Sequence, residues 1–229
     1  MTLVALALSR VRVHDAALTD LDERERAALL PGAVPKRRAE YAAGRRAARA
    51  ALARFLGQAA EGTAVVPAGA GGGKPLVIDA SGAPLADAHL SITHAAGLAA
   101  AAVAPRPIGL DLVTLEPLEE AFREEAFEPG EIARWEAWIG AAQGSVQGPC
   151  VAFAAKEAVL KWLGTGLELP LRAVRVEPAG PGTPTLLGDA VAALSMPVRV
   201  ESPRGTALLE GWIAASPRRV MVGVCGSTP

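Results

Sequence analysis

Pro105-Arg106-Pro107-Ile108-Gly109-Leu110-Asp111-Leu112-Val113 divides this 229-residue chain near its middle and sets its class. Two prolines make a stiff extended link, and an aliphatic run that reads as a strand follows at once. On either side the outline is the same: an opening strand, helices, then closing strands. Upstream, residues 3–13 read as a strand. Thr19-Asp20-Leu21-Asp22-Glu23 is a capped helix start running to residue 30, and Pro35 opens a longer helix over 36–56, closed by Gly57. The Gly/Pro-rich stretch that follows predicts mobile loop. Residues 89–94 and 98–104 then read as strands joined by Ala95-Ala96-Gly97. Downstream of the prolines come a strand over 108–113, helices around 118–143 and 149–163, and a loop over 178–188. Three strand runs close the chain, at 198–202, 206–214 and 218–225. The expectation is an α+β protein with an N-terminal half, 1–105, and a C-terminal half, 106–229. No residue-level repeat links the halves, so their likeness is one of topology.

Composition excludes several classes. The net charge is −1, so no global field draws the chain to nucleic acid or anionic lipid. Cys150 and Cys225 cannot supply a disulfide framework or a four-ligand zinc site, and read as free thiols in a reducing compartment. The apolar opening Thr2-Leu3-Val4-Ala5-Leu6-Ala7-Leu8 lacks a preceding basic segment and reads as a strand rather than a signal peptide. No apolar run is long enough to predict a membrane span. The expectation is a cytoplasmic protein without nucleic-acid or membrane partners, acting as a monomer. Of the 23 basic residues only four are lysines: Lys36, Lys74, Lys156 and Lys161.

Five segments could carry chemistry, and each also has a plainer reading. Gly69-Ala70-Gly71-Gly72-Gly73-Lys74-Pro75 fails as a phosphate-binding P-loop, because Ala68 stands at the first glycine and Pro75 at the hydroxyl. A stiffened turn presenting the Lys74 ammonium remains. The helix over 36–56 carries Lys36, Arg37, Arg38, Arg45, Arg46, Arg49 and Arg54, either a solvated basic face or an anion site aided by the helix N-terminus. His94 ends Leu90-Ser91-Ile92-Thr93-His94 on the face of Leu90 and Ile92, as a structural residue or a ligand. His14 and His89 have no such setting. Asp111, inside an aliphatic strand, must pair, accept hydrogen bonds or bind a cation. In Phe153-Ala154-Ala155-Lys156-Glu157-Ala158-Val159-Leu160-Lys161-Trp162-Leu163, Glu157 and Lys161 lie one turn apart, opposite a stripe of Ala155, Val159 and Trp162. Phe153 and Leu160 flank Glu157, which favours a half-buried metal and phosphate site over an exposed ion pair.

Taken in order, Lys36-Arg37-Arg38-Ala39-Glu40-Tyr41-Ala42-Ala43-Gly44-Arg45, Gly73-Lys74-Pro75, Ser91-Ile92-Thr93-His94, Ile108-Gly109-Leu110-Asp111 and the segment from Phe153 to Lys161 resemble the 4′-phosphopantetheinyl transferases. The resemblance is to the longer, two-halved type, nearest the enterobactin-synthetase-component group and its actinobacterial relatives. It implies a pseudodimer of two α+β halves with the active site in the cleft between them. It further implies transfer of phosphopantetheine from coenzyme A to a serine of an apo acyl or peptidyl carrier protein, with release of 3′,5′-ADP. Asp111 and Glu157 would hold Mg²⁺. Glu157, directly or through a metal-bound water, would be the base, and Lys161 with Lys156 would neutralise phosphoryl charge. Arg37, Arg45, Lys74, Thr93 and His94 would grip the cofactor. One departure stands out: the family pattern Asp-x-Glu has Val113 in place of its second carboxylate. That opens an alternative, a coenzyme A-binding relative without catalysis. A nucleic-acid module built on the arginine helix is the more distant rival.

Overall fold

The computed structural model describes residues 4–12, 18–29, 31–69, 72–142, 148–187 and 191–227. His14 and the outer ends of several expected elements lie outside these residues. The chain is mixed α+β and falls into two compact units, the first reaching Arg106 and the second beginning at Pro107.

In the N-terminal unit, β1 (Ala5–Arg10) is followed by α1 (Glu23–Ala27) and α2 (Pro35–Leu56). Four strands follow: β2 (Ala64–Gly69), β3 (Gly72–Ile78), β4 (His89–Ala95) and β5 (Leu98–Ala104). Strands β1, β5 and β4 form one antiparallel sheet in that order. Helix α2 packs on it through Ala47, Ala48, Ala51 and Leu52, against Ala7, Leu90, Ala101 and Val103. The alanines bring helix and sheet close together. A Cβ on Gly44 would come within 3.0 Å of Ile92 Cγ2, so glycine there permits the close crossing of α2 over β4.

The segment read as loop is instead the hairpin β2–β3, with Val65 opposite Val77 and Val66 opposite Leu76. Val65 and Val77 are buried, and their pairing outweighs the local glycine and proline content. Two further corrections fall downstream. The helical stretch around 118–143 is two helices, α3 (Glu120–Ala126) and α4 (Glu131–Ala142), separated at Pro129-Gly130 with Gly130 at φ +77°. The expected loop over 178–188 includes a strand, because its residues pair along an unusually long neighbour described next.

The C-terminal unit holds β6 (Ile108–Thr114), α3, α4, α5 (Gly148–Leu163), β7 (Arg175–Pro178), β8 (Thr183–Leu187), β9 (Val191–Ser202), β10 (Gly205–Ser216) and β11 (Arg219–Cys225). Its six-stranded sheet runs β6-β11-β10-β9-β7, with β8 also pairing β9. In each unit the first strand pairs antiparallel with the last, which pairs with the one before it. In each, one long helix lies on that strand set. The two-halved architecture thus rests on repeated topology. Cys150 and Cys225 are buried and not in a disulfide, and among the described residues no helix is long and apolar enough to cross a membrane.

Candidate active site

Strand β6 faces α5 with alternate residues. Asp111 lies opposite Val222 and Gly109 opposite Val224 of β11, and those valines belong to the core beneath α5. Val113, opposite Val220, points the same way. At Gly109 helix and strand meet backbone to backbone: a Cβ there would run into the Ala158 carbonyl and the Trp162 amide. About 100° away around α5, Glu157 and Lys161 come over the next residue on that face, Asp111.

The Lys161 ammonium donates to Asp111 Oδ1 at 2.5 Å and to the Leu110 carbonyl at 3.1 Å. Asp111 is nearly sealed, with 8% of its side chain exposed, while Lys161 keeps 29%. Glu157 is half-buried. Burial pushes its carboxyl above the usual carboxylate range, and the neighbouring Asp111 charge pushes the same way, while Lys161 pulls it back. Asp111, Glu157 and Lys161 therefore form one cluster. Among the described residues no three His, Cys, Asp or Glu side chains converge as a metal site.

Lys156 is placed elsewhere. Its side chain is fully buried, and its ammonium reaches Glu131 Oε2 at 2.8 Å, the Val174 carbonyl at 2.6 Å and the Leu171 carbonyl at 3.1 Å. Three acceptors satisfy the three donors of an ammonium, so the sequence expectation of a phosphate contact is corrected at this residue.

A second group of the predicted residues gathers at the start of α2, within the N-terminal unit. Pro35 opens the helix and no side chain caps it, so its first turn retains amide groups without intrahelical acceptors. Arg37 Nη1 lies 3.2 Å from His94 Nε2, which is 3.9 Å from Glu40 Oε2; Lys36 is 3.9 Å from Glu40 Oε1. Arg38 Nε is buried and has no hydrogen-bond partner among the described residues. Arg45 goes inward: its Nε donates to the Val65 carbonyl at 3.1 Å, and its guanidinium lies 4.1 Å from the Tyr41 ring centre. Burial works against its charge. Thr93 is buried on the strand face opposite His94. Lys74 lies near His89 in the same unit, where it adds to burial in lowering the pKa of that imidazole.

Other arginines of α2 are engaged by their own unit. Arg46 meets Asp20 and the Arg10 carbonyl, Arg49 donates to the Asp20 carbonyl, and Arg54 donates to the Leu6 carbonyl. Sequence reading missed Glu131. Its signal was there: a carboxylate on the α4 stripe of Glu131, Trp135 and Ile139, all buried.

The arrangement is a two-unit α+β protein with a carboxylate–ammonium cluster in one unit and a basic, uncapped helix start in the other. Residues 23–104 match the 4′-phosphopantetheinyl transferase N-terminal domain, and residues 107–204 match the 4′-phosphopantetheinyl transferase superfamily. The chain belongs to that superfamily. No curated protein matches it.

Proposed function

We propose that the protein transfers the 4′-phosphopantetheine arm of coenzyme A to a serine hydroxyl of an apo acyl or peptidyl carrier protein in the cytoplasm. Residues 1–105 and 106–229 would act as its two domains, in the manner of the enterobactin-synthetase-component group. The observation that carries this reading is the meeting of Asp111, Glu157 and Lys161 at the β6–α5 crossing, in the unit that matches the superfamily.

In this reading the serine oxygen bonds to the phosphorus that bears pantetheine, and its proton passes to Glu157. The bond from that phosphorus to the bridging oxygen breaks, and 3′,5′-ADP leaves with the electron pair. A carboxylate whose proton affinity is raised by burial is the better acceptor for a hydroxyl proton near neutral pH. Lys161, fixed by the Leu110 carbonyl and Asp111, sets a point charge beside the phosphoryl oxygens. Arg37, Arg45, Lys74, Thr93 and His94 are assigned to the cofactor, Arg45 and Thr93 from buried positions. The buried, unpartnered Nε of Arg38 fits the same anionic ligand.

The donor set also fits Mg²⁺, which binds through one or two carboxylates and keeps substrate phosphates and water as its remaining ligands. Asp111 and Glu157 would hold it, and the ion would draw charge from the pyrophosphate. Two carboxylates against one ammonium leave the cluster a net negative site that a cation would neutralise.

The test is direct. Purified protein, coenzyme A, Mg²⁺ and an apo carrier should raise the carrier's mass by one phosphopantetheine, and chelation with EDTA should stop the gain. Unchanged mass across acyl and peptidyl carriers, at several Mg²⁺ and Mn²⁺ levels, would overturn the reading. Val113, on the face of Asp111, favours one second reading: coenzyme A binding without transfer. Metal-independent binding with no mass gain would establish that instead. Lys161→Arg is expected to lower kcat about tenfold with the fold retained, since a planar guanidinium cannot occupy the compact site of an ammonium bonded to both Leu110 and Asp111. Full activity would remove Lys161 from its role.

A further inference from the structure

Glu131 and Lys156 are both fully buried, far more so than charged side chains ordinarily are, and the reaction as drawn uses neither. Burying an ion pair is costly, and such a pair adds little stability over an apolar pair of the same shape. Its geometry shows what else it does.

The Glu131 carboxylate makes three contacts. Oε2 faces Lys156 at 2.8 Å and accepts from the Glu128 amide at 3.2 Å; Oε1 accepts from the Val176 amide at 3.1 Å. One turn along α4, Trp135 Nε1 donates to the Val176 carbonyl at 2.9 Å. Val176 sits opposite Val200 of β9, and both polar groups of its backbone are met by α4 side chains. Lys156 adds the carbonyls of Leu171 and Val174, on the short 3₁₀ turn leading into β7. The pair thus ties α4, the approach to β7 and α5 at a single point.

On α5 that point lies about 100° around the axis from Glu157. The backbone contact at Gly109, through Ala158 and Trp162, lies about 100° beyond Glu157 on the other side. The helix is therefore held at two places that flank the direction of Glu157 and Lys161. Core packing and the Trp162 Nε1 bond to the Gly226 carbonyl at 3.0 Å hold α5 as well, and the Glu131–Lys156 pair adds a directional polar contact against its roll. A roll of 20° at a side-chain radius of several Å would move the Glu157 carboxylate by roughly 2 Å. Displacements of about 1 Å can already cost a factor of about 100 in rate.

We propose that the Glu131–Lys156 pair is a positioning device that sets the rotation of α5, so that Glu157 and Lys161 meet Asp111 and the reacting phosphate. This rests on the transferase reading above. Neither residue touches substrate, and both act through Glu157 and Lys161.

The test removes the charges together, because a single deletion would strand a buried ion. In Lys156→Met/Glu131→Gln the glutamine keeps an acceptor for the Val176 amide, and methionine replaces the lysine stem. The expected result is a folded protein with a melting temperature near that of wild type, a kcat at least tenfold lower, and a KM for coenzyme A within threefold. Amide NMR shifts should move at Asp111 and along 157–161. Wild-type kcat with unmoved shifts in the folded variant would overturn the proposal. Lys156→Leu/Glu131→Gln, which likewise leaves no lone buried charge, serves if the first double variant is not recovered folded, with the same fall in kcat expected and wild-type kcat again overturning it. Failure of the transferase reading would look different: wild-type protein would modify no carrier. The shifts at 111 and 157–161 would then decide the positioning role by themselves, moving if α5 is set by the pair and staying if it is not.

Discussion

Glu157→Ala is expected to abolish phosphopantetheinyl transfer, with turnover falling by about 10²–10⁴ while the protein stays folded. The carboxylate sits half-buried beside Asp111 and Lys161, and its loss leaves their 2.5 Å ion pair in place. The substitution removes the proton acceptor and one of two candidate cation ligands, yet no core aliphatic packing. Mass spectrometry of an apo carrier gives the rate, and circular dichroism verifies the fold. Glu157→Gln separates shape from charge: it keeps the side-chain volume, so a comparable loss would assign the effect to the carboxylate itself. Turnover at the wild-type rate in either variant would refute the assigned role.

Gly109→Ala should have the largest effect on stability. The added methyl would run into the Ala158 carbonyl and the Trp162 amide, which are backbone groups of α5 and cannot swing aside as a flexible side chain can. Helix and strand must separate, and the cost is expected to be at least about 3 kcal/mol. For a chain of this size that lowers the melting temperature by about 6–12 °C. Activity in the fraction that folds should fall as well, because α5 would be lifted from Asp111. A melting temperature within about 2 °C of wild type would show that the crossing is looser than the geometry indicates.

Much of this was legible in the chain before folding. The Pro105/Pro107 link, the alternation at 108–113 and the i,i+4 spacing of Glu157 and Lys161 are local signals, and local signals survive in a linear string. The β2–β3 hairpin was not legible, because its glycines and prolines speak for loop while its stability comes from Val65 and Val77 meeting in the core. Strand β8 was hidden for a similar reason: its residues pair along β9, a partner whose length the sequence alone did not reveal. The arginines of α2 read as a basic face, yet Arg45, Arg49 and Arg54 end on carbonyls contributed by other segments. An acceptor of that kind is a backbone atom and leaves no mark in residue type.

The sequence by itself determined the α+β class, because periodicity and turn formers act over a few neighbours. Only the tertiary structure decided the surroundings of each ammonium. Lys156 and Lys161 are five residues apart on one helix and carry the same ammonium. Folding turns one into a sealed core with Glu131, saturated by three acceptors, and sets the other, still partly open to solvent, against Asp111. That assignment depends on the rotation of α5. Contacts from β6, α4 and the approach to β7 meet the helix at sequence separations of 15–51 residues.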